Sequence, residues 1–252
     1  MYIVTHGDCD GICSGAITLY ANKGANVLFS NPVELKDALE RLSKNEDLII
    51  CDIALNNVTF EPLMNLLRSF SSKITYIDHH PLPQGYKDRI PSNVFFVSDI
   101  SKSTSELVYY FYKDVLPVEM SRISIYGAIG DYADNTNGIR FLLDYWDKRS
   151  LYFQTGLLIQ ALEFIGRDRR RKAIILKKLA MNILPSEIDF LVDDALQASK
   201  KEEEMRQKIK EKVKKYDKIG YIIGPDGPLS KAAIYARAYT NTVVGFSWRN
   251  RA

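Results

Sequence analysis

Tyr2-Ile3-Val4-Thr5-His6-Gly7-Asp8-Cys9-Asp10-Gly11-Ile12 opens the chain with an apolar strand, a polar loop and the start of a helix. The strand is read over residues 2–5 and the helix from Ile12 to Asn22. The same order then recurs. Asn26 to Ser30 reads as a second strand, and Leu35, Ala38, Leu39 and Leu42 fall at the i, i+3, i+4, i+7 positions of an amphipathic helix. Leu48 to Cys51 is a third strand, ending at Asp52, and Phe60 to Phe70 carries another helical pattern. Ile74 to Ile77 is a fourth strand, ending at Asp78-His79-His80-Pro81, and Val94 to Val97 is a fifth. Strands alternating with helices at this spacing predict parallel βαβ units. Strands that are nearly all apolar predict helices on both faces of the sheet.

From about residue 103 the pattern turns helical. Ser103-Thr104-Ser105-Glu106 has capping-box spacing ahead of an apolar run. Further helices are read at about 118–130, 139–148, 150–165 and 169–182. Pro185-Ser186 opens a charged stretch that holds eight basic and four acidic residues between Lys200 and Lys215, read as a solvated connecting helix. Strand, helix and strand follow at Ile219–Ile223, Leu229–Tyr239 and Thr242–Ser247. The expected fold is α/β: a parallel-sheet domain over 1–185, a helical linker over 186–216 and a small, partial α/β domain over 217–252.

Composition removes several classes. With 46% hydrophobic and 26% charged residues, the 252-residue chain is neither disordered nor a fibrous repeat. No apolar run nears the roughly 18 residues of a membrane span, and Met1–Thr5 does not read as a secretory leader. Three cysteines, Cys9, Cys13 and Cys51, make no disulfide framework, so a reducing, cytoplasmic setting is expected. Net charge is only +3, from 34 basic and 31 acidic residues, and selects no partner by itself.

The three histidines carry more information. His6, His79 and His80 all stand beside acidic residues, in two short strings that follow apolar strands. In His6-x-Asp8-x-Asp10-Gly11, alternate residues of an extended loop present one nitrogen and several hard oxygens, and Gly11 permits a tight turn into the helix. Asp52 ends a strand, a place where a cap or turn residue is also common. Asp78-His79-His80 is harder to explain structurally and suits a metal or phosphate site. In Gly127-Ala128-Ile129-Gly130-Asp131 the small residues would let a helix end approach another backbone and bring Asp131 into the crevice. Ligands bind beyond the carboxyl ends of parallel strands, where three of these strings lie. Four carboxylates there repel one another unless cations neutralise them. Two divalent ions sharing a carboxylate would stand about 3.5 to 4 Å apart, the spacing of two-metal phosphoryl-transfer sites. Mixed imidazole and carboxylate ligation suits Mn²⁺.

The ordered set His-x-Asp-x-Asp-Gly, strand-end Asp, Asp-His-His and Gly-x-x-x-Asp resembles the DHH phosphoesterase superfamily, from residue 1 to about residue 140. The compact spacing of the first string is similar to that of RecJ-like nucleases and their archaeal relatives. Residues 217–252 resemble the beginning of the family's C-terminal substrate-binding domain. That domain usually carries a glycine-rich segment ending in His, and no His follows His80 here. The substrate grip is then built differently, or lies in a longer chain. The resemblance implies residue roles. His6 and Asp8 would hold a first metal, and Asp10, His79 and Asp131 a second. Asp52 would bridge both. His80 would contact the phosphate or donate a proton, with Asp78 orienting a histidine.

The implied activity is manganese-dependent hydrolysis of short single-stranded oligonucleotides or dinucleotides, with two Mn²⁺ ions replaceable by Mg²⁺ or Co²⁺. The alternatives are a pyrophosphate-type phosphoanhydride hydrolase and a catalytically silent nucleic-acid-binding module. No membrane partner is expected. In Arg167-Asp168-Arg169-Arg170-Arg171-Lys172, the four arginines are candidate substrate contacts, although a solvated helix start reads equally well. Gly224-Pro225-Asp226-Gly227-Pro228 reads as a turn, with a phosphate-facing helix N-terminus as the alternative.

Overall fold

The computed structural model describes residues 1–82 and 84–248. The last four positions of the segment expected over 217–252 lie outside the described residues. The chain divides into two compact units, Met1–Val192 and Asp193–Ala252.

In the first unit, β1 (Tyr2–Thr5), β2 (Asn26–Phe29), β3 (Leu48–Cys51), β4 (Ile74–Asp78) and β5 (Val94–Ser98) form one sheet in the order β2-β1-β3-β4-β5. All four pairings are parallel. The chain steps from β1 out to β2, then returns past β1 to β3. Connections therefore diverge between β1 and β3, which opens a crevice at the carboxyl ends of these strands. The register decides what meets there. Thr5 pairs with Cys51 and Cys51 with Ile77. His6, Asp52 and Asp78 thus stand side by side, each one residue past that common level.

Helices cover both faces, as expected. On one side, α2 (Leu35–Glu40) and α3 (Phe60–Arg68) share a core with Val4, Ile50 and Tyr76 of the strands. On the other lies α1 (Cys9–Ala21), where Ile12, Cys13, Ala16 and Ile17 are fully buried. The helical region that follows comprises α4 (Thr104–Tyr112), α5 (Met120–Gly130), α6 (Asn137–Leu143), α7 (Lys148–Ile165) and α8 (Arg169–Ala180). Of these, α4, α5 and α8 wrap α1. A helix enclosed in this way must be apolar nearly all round, and α1 is buried from Cys9 through Thr18.

Two local expectations are corrected. The first concerns α1, which begins at Cys9 rather than Ile12, because Asp8 caps it by accepting the Gly11 N–H at 3.0 Å. Asp10 and Gly11 therefore sit in the first helical turn, not in an extended loop. The second concerns Glu106. Ser103 caps α4 as its spacing suggests, but the Glu106 carboxylate accepts the Thr136 hydroxyl at 2.8 Å instead of closing a capping box.

The second unit takes most of α9 (Leu191–Lys212), followed by β6 (Lys214–Tyr216), β7 (Ile219–Ile223), α10 (Leu229–Thr240) and β8 (Val244–Trp248). The sheet order is β6-β7-β8, with β6 antiparallel and β8 parallel to β7. The charged stretch does more than connect. Met205 and Ile209, one helical turn apart, are buried with Ile222, Ala232 and Ala236. The short β6 was not foreseen, because Lys214-Lys215-Tyr216 is exposed throughout and reads as loop. A lysine-rich edge strand discourages pairing with other chains. Among the described residues no helix is long and apolar enough to cross a membrane.

Close approach of α10 to its sheet requires glycine. A Cβ on Gly245 would overlap the Ala233 carbonyl, whereas one on Gly156, inside α7, meets open space. Gly245→Ala is expected to destabilise the fold by about 1–3 kcal/mol. Gly156→Ala is expected to be neutral or to stabilise by up to about 1 kcal/mol. Denaturant titration of both variants checks this pair, and equal effects would contradict the packing described.

Candidate metal centre

The crevice collects six side chains from four places. His6 follows β1, Asp8 caps α1, and Asp10 lies in its first turn. Asp52 follows β3, His79 follows β4, and Asp131 caps the C-terminus of α5. Three groups of ligand atoms each converge within 4.8 Å: His6, Asp8 and Asp52; Asp10, His79 and Asp131; and Asp52, His79 and His80. Asp52 is common to two of these groups, and so is His79.

Backbone constraints hold this arrangement. Asp52 adopts a left-handed conformation, φ 59°, which turns the chain sharply at the strand end. A Cβ on Gly11 would lie 2.5 Å from the His6 carbonyl oxygen, so only glycine lets α1 start beneath His6. A Cβ on Gly127 would lie 2.6 Å from Asp10 Oδ1, and one on Gly130 would lie 2.7 Å from Cys9 Cβ. The small residues expected to bring Asp131 inward therefore do so by letting α5 pack onto the start of α1.

Hydrogen bonds fix the individual side chains. Asp10 is fully buried, and its two oxygens accept the Thr104 and Ser105 backbone N–H groups at 2.7 and 2.9 Å. Asp52 Oδ1 accepts the Thr104 hydroxyl at 3.1 Å, while Oδ2 is buried and has no hydrogen-bond partner. His6 Nδ1 lies 2.7 Å from Asp8 Oδ2. His80 Nδ1 lies 2.8 Å from Asp78 Oδ1, and Asp78 is 1% exposed. His79 Nε2 is 3.1 Å from Asp131 Oδ2 and 3.6 Å from Asp52 Oδ1, yet is oriented for a hydrogen bond with neither.

Crowding of negative charge shifts the titration of these groups. Burial, then the charge of Asp131, pushes Asp10 up to about 7. Burial, then the charges of Asp10 and Asp8, holds Asp52 well above the ordinary carboxylate range. Burial works against the His79 cation, but Asp131, Asp10 and Asp78 outweigh it and raise the imidazole to about 9. Without cations the site is thus relieved by protons. Orphaned Oδ2 and Nε2 atoms, surplus carboxylates and mixed N/O donors fit divalent cations in their place.

Thr104 and Ser105 escaped the sequence reading. The sign was available, because a helix N-terminus opening at the carboxyl edge of β5 presents free N–H groups to an anion. Of the basic string, Arg167 and Arg169 line a cavity beside His6 and Asp8, together with Lys172. Arg171 instead stacks on Phe190, 4.2 Å from its ring centre. Arg170 is exposed and does not line the cavity. Cys9, Cys13 and Cys51 are buried and free. Burial pushes the Cys51 thiol up to about 12, so it acts as a small apolar residue. Asp226 pairs with Lys208 at 2.9 Å, in the turn ahead of α10.

Residues 1–132 match the DHH family, N-terminal domain. No curated protein matches the chain by sequence. Several solved structures share its fold. An exonuclease RecJ bound to manganese is 18% identical, with a TM-score of 0.61, over 96% of this chain and 73% of that one. RecJ from Thermus thermophilus in complex with Mn²⁺ is 16% identical, with a TM-score of 0.64, over 96% of this chain and 42% of that one. A pGpG-specific phosphodiesterase from Vibrio cholerae is 16% identical, with a TM-score of 0.56, over 93% of this chain and 74% of that one.

The raised groups set a stability trend for the metal-free protein. A carboxyl or imidazole with a raised folded-state pKa retains a proton that the unfolded chain releases, so stability falls as pH rises. For Asp10 the window runs from about 4 to 7, and for His79 from about 6.5 to 9. The Tm of chelator-treated protein is expected to drop between pH 5 and pH 8.5. Added Mn²⁺, which displaces these protons, is expected to raise Tm more at pH 8.5 than at pH 5. Differential scanning calorimetry across pH reads both, and a Mn²⁺ effect independent of pH would contradict the site.

Proposed function

This chain belongs to the DHH family, and on that premise we propose that it is a manganese-dependent phosphodiesterase acting on short single-stranded oligonucleotides or dinucleotides with two cations. The observation that carries the reading is the place of Asp52. Its carboxylate converges with His6 and Asp8 in one ligand group and with His79 and His80 in another, and its Oδ2 is buried without a partner. On this reading His6 and Asp8 would hold one ion and Asp10, His79 and Asp131 the other, with Asp52 as the ligand they would share. The chemistry supplied by the bound ions is Lewis-acid charge on the phosphoryl oxygens and a lowered pKa for the attacking water. Nucleic-acid or dinucleotide substrates enter the proposal from the RecJ exonuclease and the pGpG phosphodiesterase, whose fold the chain shares.

Protein groups do the remaining work. Hydrolysis forms one P–O bond to water and breaks another to a nucleoside oxygen, which must leave with a proton. His80 is suited to supply it. Its Nδ1 side is committed to Asp78 at 2.8 Å, which leaves Nε2 to face the phosphate. Asp78 is a positioning residue, since it acts through the ring it orients. Thr104 and Ser105 fix Asp10, so that the carboxylate is preorganised rather than recruited.

The test follows an end-labelled oligonucleotide in Mn²⁺ and in chelator. Asp52→Ala is expected to abolish cleavage with unchanged circular dichroism. Asp78→Asn is expected to lower kcat by about 10- to 100-fold with little effect on KM. Undiminished turnover by Asp52→Ala would refute the shared-ligand role. Release of phosphate from pyrophosphate, with oligonucleotides untouched, would move the activity to phosphoanhydrides.

A further inference from the structure

Five described non-glycine residues take a positive φ, the left-handed conformation that glycine enters without penalty. Four of them are aspartate or asparagine, which tolerate it. The fifth is Tyr132, at φ 55°. A bulky side chain in that conformation is a true outlier. The cause is local. Asp131 caps the C-terminus of α5, and Tyr132 holds the next position, where helices ordinarily place glycine. Its N–H donates to the Ile129 carbonyl at 3.2 Å, and the Ala133 N–H donates to the Ala128 carbonyl at 2.8 Å. At the far end of the same turn, Thr136 caps α6 and donates its hydroxyl to Glu106 at 2.8 Å. The turn is pinned at both ends, so the backbone of Tyr132 is held in place.

The fold draws no packing from this ring. Tyr132 is 81% exposed, and among the described residues its ring stacks on no other and its hydroxyl makes no hydrogen bond. A strained residue that the core does not use points to a function. Its neighbour supplies the place. The Asp131 carboxylate is 3.1 Å from His79 in the metal centre, and consecutive Cα atoms are about 3.8 Å apart. The ring therefore stands at the rim of the crevice, within reach of a group attached to a phosphate seated there. A fixed, exposed aromatic ring beside a phosphodiester site suits the flat face of a nucleobase. We propose that Tyr132 is the platform on which one base flanking the scissile phosphate stacks. It is a specificity-determining residue. It makes the enzyme favour diesters that carry a base beside the bond over those that carry sugar and phosphate alone. Every base has such a face, so the selection is for the presence of a base and not for its identity.

This inference rests on the phosphodiesterase reading, and two measurements keep their failures apart. The first follows cleavage in Mn²⁺ of a short oligonucleotide, and of copies in which one base flanking the cut bond is replaced by an abasic tetrahydrofuran residue. In the wild type, loss of the stacked base is expected to raise KM by about 5- to 100-fold and to lower kcat less. Tyr132→Gly is expected to show the same rise on the intact oligonucleotide, with no further rise for the abasic copy. Tyr132→Phe is expected to keep the wild-type KM. Glycine removes the backbone strain, so the Tm of Tyr132→Gly is expected to hold or rise. An equal abasic penalty in wild type and Tyr132→Gly, or a marked fall in the Tm of that variant, would overturn the platform. The second measures binding of the same oligonucleotides to Ca²⁺-loaded protein by fluorescence anisotropy, which reads stacking without turnover. Weaker binding of one abasic copy, with the difference lost in Tyr132→Gly, supports the platform even if nothing is hydrolysed. Cleavage with equal affinity for intact and abasic copies would overturn the platform and leave the phosphodiesterase reading standing. No binding of any oligonucleotide would overturn both.

Discussion

Asp10 is fully buried, yet each of its oxygens accepts a backbone N–H from the first turn of α4. The rest of the first unit is arranged around this bond pair. It ties the start of α1 to the start of α4, and Gly127 then lets α5 close over the same carboxylate. The closing of α5 carries Asp131 to within 3.1 Å of His79. A buried carboxylate next to three others is unfavourable in isolation. Two N–H donors at a helix N-terminus offset part of that cost, and protons or cations must offset the remainder. The fold therefore concentrates negative charge and leaves buried carboxylate oxygens without a hydrogen-bond partner, Oδ2 of Asp52 and Oδ2 of Asp78 among them. A stability-optimised core has no use for such an atom.

Much of this was legible in the sequence, for identifiable reasons. Leu48 to Cys51 and Ile74 to Ile77 are apolar runs bounded by polar punctuation, so their strands could be placed nearly to the residue. Parallel strands in register then force whatever follows them into one crevice, which is why His6, Asp52 and Asp78 could be grouped although they are far apart in the chain. Asp131 depended on reading Gly127 and Gly130 as packing residues rather than helix breakers. The family that the order of these motifs resembles is the one that residues 1–132 match.

What escaped the sequence depended on tertiary context. Thr104 and Ser105 contribute mainly backbone N–H groups, and a backbone donor leaves no signature in residue type. The start of α1 shifted because a cap bond from Asp8 extends the helix by a turn across residues that alternate like a loop. In the second unit, the charge of α9 concealed Met205 and Ile209, two buried residues among many solvated ones. Lys172 ends a basic string in which residue type alone does not distinguish it from the neighbouring arginines. Only the cavity separates it from Arg171, which stacks on Phe190, and from Arg170, which does not line the pocket.

If this cluster of carboxylates and imidazoles is built for two divalent cations that share Asp52, the two ions must sense each other through that residue. The most direct test is a Mn²⁺ titration of the metal-free protein, followed by low-temperature electron paramagnetic resonance. Two Mn²⁺ per chain with an exchange-coupled spectrum are expected, with loss of that coupling in Asp52→Asn. A single Mn²⁺ per chain, or two ions whose spectra remain independent in the wild type, would contradict the shared site.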